Sequence, residues 1–441
     1  MLKNAVEFAF RQTSCIVFRF SASLAKRRKI NNPQNLKIFP VVYFIGRFKI
    51  MYDFTTKISR KNTGSLKWDL MYSVNSDIGD EIVPLSVADM EFKNPPELIA
   101  GLKKALDETV LGYTGPTEEY KKTVKNWMRE RHNWEIETDW IVPVSGVVPA
   151  LYNAVREFTK PGEGVIIITP VYYPFFKAVN LQNRKIAECG LSEKNGNYTI
   201  DFDKLENLSK DKNNKALLFC SPHNPVGRVW KKEELQRVKD IILNSDLLLF
   251  SDEIHFDLIM PGYKHTVFQS LDTRLADRTV TFTAPSKTFN IAGMGISNII
   301  IKNPDMRERF IKARDISSGM PTTPLGYKAC EICYKECAKW LDECIKIIDK
   351  NQRNVKEFFE KEYPEIKAPL IEGTYLQWLD FRALKMDYKD LENFMIYKAQ
   401  VFFDEGYIFG DGGKGFERIN LAAPSSVISE SLERLIGALK K

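Results

Sequence analysis

The hydrophobic pattern between residues 96 and 320 alternates helical segments with short, continuous apolar runs. Four of these runs, VIIIT (165–169), ALLFC (216–220), LLLFS (247–251) and TVTFT (279–283), predict strands, and the first three lack the polar alternation of a half-exposed strand. Continuous apolar runs are typical of strands that are covered on both faces. The pattern therefore predicts an α/β fold built on a mainly parallel sheet.

Polar or structure-breaking residues follow each of these four predicted strands. The four tails are PVYYP (170–174), SPHNP (221–225), DEIH (252–255) and APSK (284–287). Ligands of open α/β sheets bind beyond the carboxyl ends of the strands. We therefore expect the four tails to meet at one site.

The carboxyl-terminal part of the chain has a different pattern. Apolar positions from about residue 326 to 360 follow helical spacing, while TYLQWLDF (374–381) and RINLA (418–422) are typical of strands. These elements predict a second, smaller α+β domain. The expected division is a large domain over residues 96–324 and a small domain over residues 51–95 and 325–441.

Four of the seven cysteines, Cys330, Cys333, Cys337 and Cys344, lie on the helical stripe of this segment. Free cysteine packs as a small hydrophobe, so we assign these four to the core. The four histidines add no close metal-ligand spacing, and we expect no metal site. An odd number of cysteines without a disulfide framework predicts a reducing compartment, and we expect a cytoplasmic protein.

The first fifty residues differ from the rest in charge. They hold ten basic side chains and one acidic one, so that the net charge of +7 becomes −2 over residues 51–441. This leaves no basic face for nucleic acid. The longest apolar run of the segment, residues 38–45, is far shorter than the roughly 20 residues of a membrane span. An organellar presequence stays open, but we favour an extraneous extension with the true start at Met51.

One motif is misleading on its own. Gly410, Gly412 and Gly415 match G-x-G-x-x-G, yet the following FERINLAAP (416–424) predicts a strand and not the helix of a dinucleotide-binding unit. We expect a glycine-rich hairpin turn there. No G-x-x-x-x-G-K-[ST] phosphate-binding loop occurs in the chain.

The tails contain residues that suit one kind of chemistry. Asp252 ends a buried strand, where an unpaired carboxylate is costly. Lys287 follows Ser286 in a loop of small residues, where it could also cap a helix or face solvent. WIVPVSGVVPAL (140–151) predicts a strand that runs into a helix starting at Gly146, and free N–H groups at a helix start bind phosphate. Pyridoxal phosphate requires parts of this kind. It needs a lysine for its aldehyde, a carboxylate for its ring nitrogen, a helix start for its phosphate and an aromatic side chain against one face of its ring.

The sequence resembles the fold-type I pyridoxal-phosphate enzymes, and within them the cystathionine β-lyase branch of MalY/PatB-type C–S lyases. The matching strings run in family order over nearly all of residues 51–441. They are SVADMEF (86–92), GYTG (112–115), SGVVPAL (145–151), TPVYYPFF (169–176), SPHNPVGRVW (221–230), SDEIHFDL (251–258), APSKTFNIAG (284–293) and RINLAAP (418–424). The resemblance implies an aspartate-aminotransferase-like fold.

The resemblance also implies roles for single residues. Lys287 matches the Schiff-base lysine and general base, and Asp252 matches the partner of the pyridine nitrogen. Arg418 and Ala88 match positions that bind the substrate, with Arg418 on its α-carboxylate. The remaining matches are cofactor contacts: Asn224 on the ring oxygen, Tyr172 stacked on the ring, Gly146, Val147 and Ser286 on the phosphate, His255, and Tyr113 from the neighbouring subunit of a homodimer.

The activity implied is β-elimination from cystathionine, cysteine or S-substituted cysteines, which yields a thiol, pyruvate and ammonia. His255 stands where related aminotransferases carry tyrosine, and it favours the lyase branch. An aminotransferase would share every cofactor contact and stays an alternative. A second alternative is a regulatory or binding protein that retains the fold and the cofactor for partner recognition.

Overall fold

The computed structural model describes residues 52–318 and 322–441. The predictions of an extraneous extension over residues 1–50 and of a start at Met51 lie outside the described residues. The strands, in chain order, are β1 (Ile141–Val144), β2 (Gly164–Thr169), β3 (Lys185–Gly190), β4 (Ser192–Lys194), β5 (Asn197–Thr199), β6 (Asn214–Cys220), β7 (Leu248–Asp252), β8 (Thr279–Thr283), β9 (Ser297–Ile300), β10 (Leu376–Asp380), β11 (Asp404–Glu405) and β12 (Phe416–Asn420).

The α-helices surround these strands. In chain order they are α1 (Leu66–Val74), α2 (Pro96–Glu108), α3 (Glu118–His132), α4 (Val147–Phe158), α5 (Pro174–Asn180), α6 (Phe202–Lys210), α7 (Lys232–Leu243), α8 (Thr273–Ala276), α9 (Pro285–Thr288), α10 (Pro304–Ser318), α11 (Pro324–Glu336), α12 (Ala338–Glu362), α13 (Tyr388–Asn393) and α14 (Ser425–Leu439). Within the described ranges, no helix has the length and apolar character that crossing a membrane requires.

The main sheet of the described chain has seven strands in the order β1-β9-β8-β7-β6-β2-β3. All pairs are parallel except those of β9, which runs antiparallel to both of its neighbours. The prediction of an α/β fold with a mainly parallel sheet is confirmed, and the four predicted strands are β2, β6, β7 and β8.

The continuous apolar runs arise because the sheet is buried on both faces. Along β2, Val165 and Ile167 pack into one apolar cluster, while Ile166 and Ile168 pack into the cluster on the other face. Successive side chains of a strand point to opposite faces, so each position from Val165 to Ile168 needs an apolar residue. The helices that cover the two faces supply the other half of each cluster.

A three-stranded antiparallel sheet, β10-β12-β11, forms from the carboxyl-terminal part of the chain. It confirms the two strands predicted there, with narrower bounds for β10 and with β12 beginning and ending two residues earlier than predicted. The predicted single helix over residues 326–360 is wrong in one respect, because α11 and α12 are separated at Cys337, whose φ of −100° and ψ of 11° leave helical geometry. The apolar stripe continues across the break, and its four cysteines are fully buried. The boundary between two domains stays a prediction.

The glycine-rich segment before β12 adopts short turns and not a dinucleotide-binding loop. Gly410 has a φ of +115° and Gly415 a φ of +81°, a region that favours glycine. β12 follows directly at Phe416 and pairs with β11. The prediction of a hairpin turn in place of a nucleotide site agrees with this arrangement.

The segment from Leu85 to Glu91 is bound by backbone hydrogen bonds to β12 and to the residues that directly follow it. Asn420 N–H donates to the Leu85 carbonyl, and Glu91 N–H donates to the Ala422 carbonyl, both at 2.8 Å. Glu91 is anchored by the buried Nζ of Lys67 at 2.7 Å. The same Nζ donates to the carbonyl of Asp89 at 2.7 Å. This buried ion pair therefore fixes the segment of residues 85–91, which leads into the site described below.

We expect Lys67→Ala to lower the free energy of unfolding by about 3 kcal/mol, because it leaves the Glu91 carboxylate buried with fewer partners. Lys93→Ala is the matched control, since Lys93 pairs with Asp53 while its own side chain is 57% exposed. Its expected cost is about 0–1 kcal/mol. Urea unfolding at neutral pH measures both values, and equal losses in the two variants would contradict this account.

Candidate active site

Lys287 lies where β8 ends and the short helix α9 begins. Pro285 occupies the first turn of α9, where a missing N–H is tolerated. Lys287 Nζ donates a hydrogen bond to the Ala88 carbonyl at 2.7 Å. Burial lowers the pKa of Lys287 to about 8, and Arg418 adds to the decrease while Asp89 and Asp252 oppose it. Lys287 lines a cavity, and its amine is bound to a backbone carbonyl there.

Asp252 is the last residue of β7 and is 2% exposed. Its carboxylate accepts a hydrogen bond from the N–H of Ile254 at 3.2 Å. Burial raises the pKa of Asp252 to about 7, Glu253 raises it further, and Lys287 lowers it. A carboxyl group in this environment is ready to receive a cationic or hydrogen-bonding partner.

The start of helix α4 forms another wall of the same cavity. Gly146 precedes the helix, Pro149 lies in its first turn, and both line the cavity together with Val147 and Val148. The first N–H groups of a helix have no partner within the helix and carry a partial positive charge. This wall can therefore bind an anionic group such as a phosphate.

Arg418 reaches the site through Asn224. The Nη1 group of Arg418 donates to Oδ1 of Asn224 at 2.7 Å, and the guanidinium lies 4.5 Å from the ring centre of Phe409. The carbonyl of Asn224 accepts a hydrogen bond from the N–H of Tyr172 at 3.1 Å. Arg418 is 2% exposed, so the alternative of a surface ion pair is wrong.

His255 lies on the cavity wall, shortly after Asp252 in sequence. It is 2% exposed, and burial, Lys287 and Arg418 hold its pKa well below the usual value, so the ring is neutral. Its Nδ1 is buried and has no hydrogen-bond partner in the described part of the chain. The ring of Tyr375 packs edge-on against it at 5.8 Å. The orphaned nitrogen marks His255 as a group that a ligand could satisfy.

The predicted convergence of the strand tails is confirmed. One cavity of about 170 Å³ is lined by Ala88, Gly146, Val147, Tyr172, Asn224, Asp252, His255, Ser286 and Lys287. Arg418 does not line this cavity, but it donates a hydrogen bond to Asn224, which does. Tyr113 is different, because it is 95% exposed in the loop between α2 and α3 and does not line the cavity of its own chain.

The sequence did not reveal several residues that shape this site. Asp404 binds Arg418, Tyr375 packs on His255, and Cys220 lines the cavity beside Asn224. Tyr375 lies in a segment whose pattern predicts only a strand. Asp404 lies in a segment for which the pattern predicts no element. Their contacts depend on chain segments far apart in sequence, so no local spacing indicates them.

Fold and site together define a family. The chain belongs to the class I and II aminotransferase family, whose model matches residues 80–439. Among similar proteins, cystathionine beta-lyase PatB of Bacillus subtilis (strain 168) is 37% identical over 390 residues, which cover 88% of this chain and 100% of that protein.

Two solved structures extend the comparison. Cystalysin from Treponema denticola, whose crystal structure contains a pyridoxal 5′-phosphate cofactor, is 80% identical with a TM-score of 0.88, covering 89% of this chain and 99% of that one. The pyridoxal-phosphate-bound C–S lyase from Staphylococcus hominis is 29% identical with a TM-score of 0.82, covering 89% and 100%. The resemblance to C–S lyases inferred from the sequence motifs is therefore confirmed.

The raised pKa of Asp252 predicts a pH dependence of stability. Its folded value of about 7 exceeds the ordinary 3.8, so its stabilising protonated form is fully present below about pH 4 and is lost as pH rises toward 7. Asp252→Asn cannot ionise. In protein freed of small ligands, we expect this variant to gain stability relative to the unchanged protein as pH rises from about 4 to about 7, as measured by urea unfolding.

Asp246→Asn is the control for this titration. The pKa of Asp246 is lowered by its hydrogen bond to Lys212, so its small contribution has the opposite sign and appears as pH rises. An Asp252→Asn curve that runs parallel to that of the unchanged protein would contradict the raised pKa.

Proposed function

We propose that this chain is a pyridoxal-phosphate-dependent C–S β-lyase. Its substrates are cystathionine, cysteine or S-substituted cysteines, and each reaction consumes water and releases a thiol, pyruvate and ammonia. The observation that carries the proposal is the meeting of a buried lysine amine, a buried carboxyl and a helix start around one cavity. The named lyases among its relatives support the same activity.

The residues present fit pyridoxal phosphate. The buried carboxylate of Asp252 accepts a backbone hydrogen bond from Ile254, and a pyridine nitrogen would give it a second partner. The buried, unpartnered Nδ1 of His255 also suits a polar ligand. The start of α4 suits the phosphate, and Lys287 supplies the amine that joins the aldehyde. When bound, the cofactor supplies an electron-accepting ring that stabilises negative charge at the substrate Cα.

Once the amine of the substrate has replaced it on the aldehyde, Lys287 would be free to act as the general base that removes the proton from the substrate Cα. A pKa of about 8 leaves a useful fraction of the amine neutral near physiological pH, whereas an ordinary lysine would be almost fully charged. Asp252 holds a proton on the ring nitrogen through a charge-assisted hydrogen bond. Tyr172 and Ser286 line the cavity, where Tyr172 would cover one face of the ring and Ser286 would help to hold the phosphate.

Arg418 binds the α-carboxylate of the substrate. A planar guanidinium presents paired donors that match the two oxygens of a carboxylate. Three of its five N–H groups already have partners among the described residues, two on Asp404 and one on Asn224. The other two remain for a ligand, and Ala88, which lines the cavity, is the second residue that we propose to bind the substrate.

We expect Lys287→Ala to lower the release of thiol and pyruvate from L-cystathionine by a factor on the order of 10²–10⁴ or more, because the variant loses its base and its covalent attachment point. Lys302→Ala is the control, since Lys302 forms an ion pair with Asp277 at the surface. The assay contains no keto acid. Turnover that requires an added keto acid would support an aminotransferase and contradict the lyase proposal.

A second copy of the chain completes the site in this proposal. Tyr113 lies in a segment with other exposed apolar side chains, of which Val110 is 88% exposed. Such a patch is typical of an interface between protein chains. We propose a homodimer in which Tyr113 of each subunit contacts the cofactor phosphate of the other. The cytoplasmic location stays a prediction.

Subunit mixing tests this arrangement. We expect Tyr113→Ala and Lys287→Ala proteins to be weakly active alone but to regain about a quarter of the unchanged activity when unfolded and refolded together in equal amounts. Half of the dimers are then hybrids, and each hybrid has one site with both side chains intact. A mixture no more active than its separate components would contradict a shared site.

A further inference from the structure

One oxygen of Asp404 joins the two segments that carry the residues proposed to bind the substrate, Arg418 and Ala88. Oδ2 accepts hydrogen bonds from Nε of Arg418 at 3.1 Å and from Nη2 of the same guanidinium. It also accepts the backbone N–H of Val87 at 2.9 Å. Asp404 and Arg418 are Cα partners on the paired strands β11 and β12, whereas Val87 is 317 residues away from Asp404 in sequence.

The backbone at Val87 needs such support. Its φ is +56°, a left-handed conformation that is unfavourable for a β-branched residue. Asn420 Nδ2 donates to the Val87 carbonyl at 2.8 Å and to the Asp89 carbonyl at 2.9 Å. Asp404 binds the N–H of Val87, and Asn420 binds its carbonyl. The strained residue is therefore held on both sides.

The strained turn has a direct connection to the chemistry. Ala88 follows Val87, lines the cavity, and accepts the hydrogen bond from Lys287 Nζ with its carbonyl. Asp404 thus fixes two elements at once, which are the guanidinium of Arg418 and the turn that carries Ala88. Both lie on the part of the site that the proposed function gives to the substrate.

We propose that Asp404 is a positioning residue for recognition of the α-carboxylate. It holds Arg418 and the turn of residues 87–88 in one fixed register, so that a carboxylate meets a preorganised set of donors. Donors that are already ordered bind a ligand without a further loss of side-chain freedom. This inference rests on the proposed function of Arg418 and Ala88.

The test compares two amines that differ in the carboxylate. Glycine carries an α-carboxylate and has no leaving group, whereas methylamine lacks the carboxylate. Binding of each to the pyridoxal-phosphate-loaded protein is followed through the absorption of the bound cofactor. We expect Asp404→Ala to raise the dissociation constant of glycine by about tenfold or more and that of methylamine by less than about twofold.

Two further variants separate the possible causes. Asp404→Asn keeps an oxygen that can occupy the position of Oδ2, and we expect it to bind glycine within about threefold of the unchanged protein. Glu405→Gln is the matched control. Glu405 is the next residue of β11, and its Cα partner on β12 is Glu417, whereas that of Asp404 is Arg418. We expect it to leave both dissociation constants unchanged.

The outcomes are distinct. If Asp404→Ala weakens both amines equally, or neither, the residue has no positioning role and the inference fails. Loss of glycine binding in Asp404→Asn equal to that in Asp404→Ala would assign the effect to charge and also overturn it. If the unchanged protein binds glycine no more tightly than methylamine, the carboxylate site itself is absent, and the role proposed for Arg418 fails together with this inference.

Discussion

The burial of Lys287 and Asp252 at one edge of a parallel sheet is the constraint on which the rest of the site depends. Removal from water lowers the pKa of the lysine to about 8 and raises that of the aspartate to about 7. Both shifts show that the charged forms are disfavoured. A ligand that offers bonding partners in place of the lost water therefore stabilises each group. An aldehyde suits the amine and a protonated ring nitrogen suits the carboxylate, and pyridoxal phosphate carries both.

The sheet provides this burial at its carboxyl edge, where the residues that follow the strands supply hydrogen-bond partners for polar side chains. β7 and β8 lie side by side and are parallel, so the residues that follow them meet at the same edge. The apolar clusters on both faces fix the strands. The start of α4 and the tail of β6 close the same cavity. The segment of residues 85–91, bound to β12, adds the carbonyl that receives the lysine amine.

Much of this arrangement could be predicted from local sequence. VIIIT, ALLFC and LLLFS are apolar at nearly every position because both faces are covered, and the position of Asp252 at a strand end predicts its place at the carboxyl edge. The contacts of Asp404 with Val87, and of Lys67 with Glu91, could not be predicted, because they join segments that only the folded chain brings together. The break at Cys337 has no proline or glycine to signal it. The role proposed for Tyr113 involves a second subunit, so the position of this residue in its own chain does not indicate it.

In the proposed function, the amine of Lys287 forms the covalent bond to the cofactor. Borohydride reduction of the pyridoxal-phosphate-loaded protein, followed by proteolysis and mass spectrometry, locates that bond directly. We expect one pyridoxyl-phosphate group per chain, on the peptide that contains Lys287. Label on other lysines with none on Lys287, or protein that remains unlabelled, would contradict it.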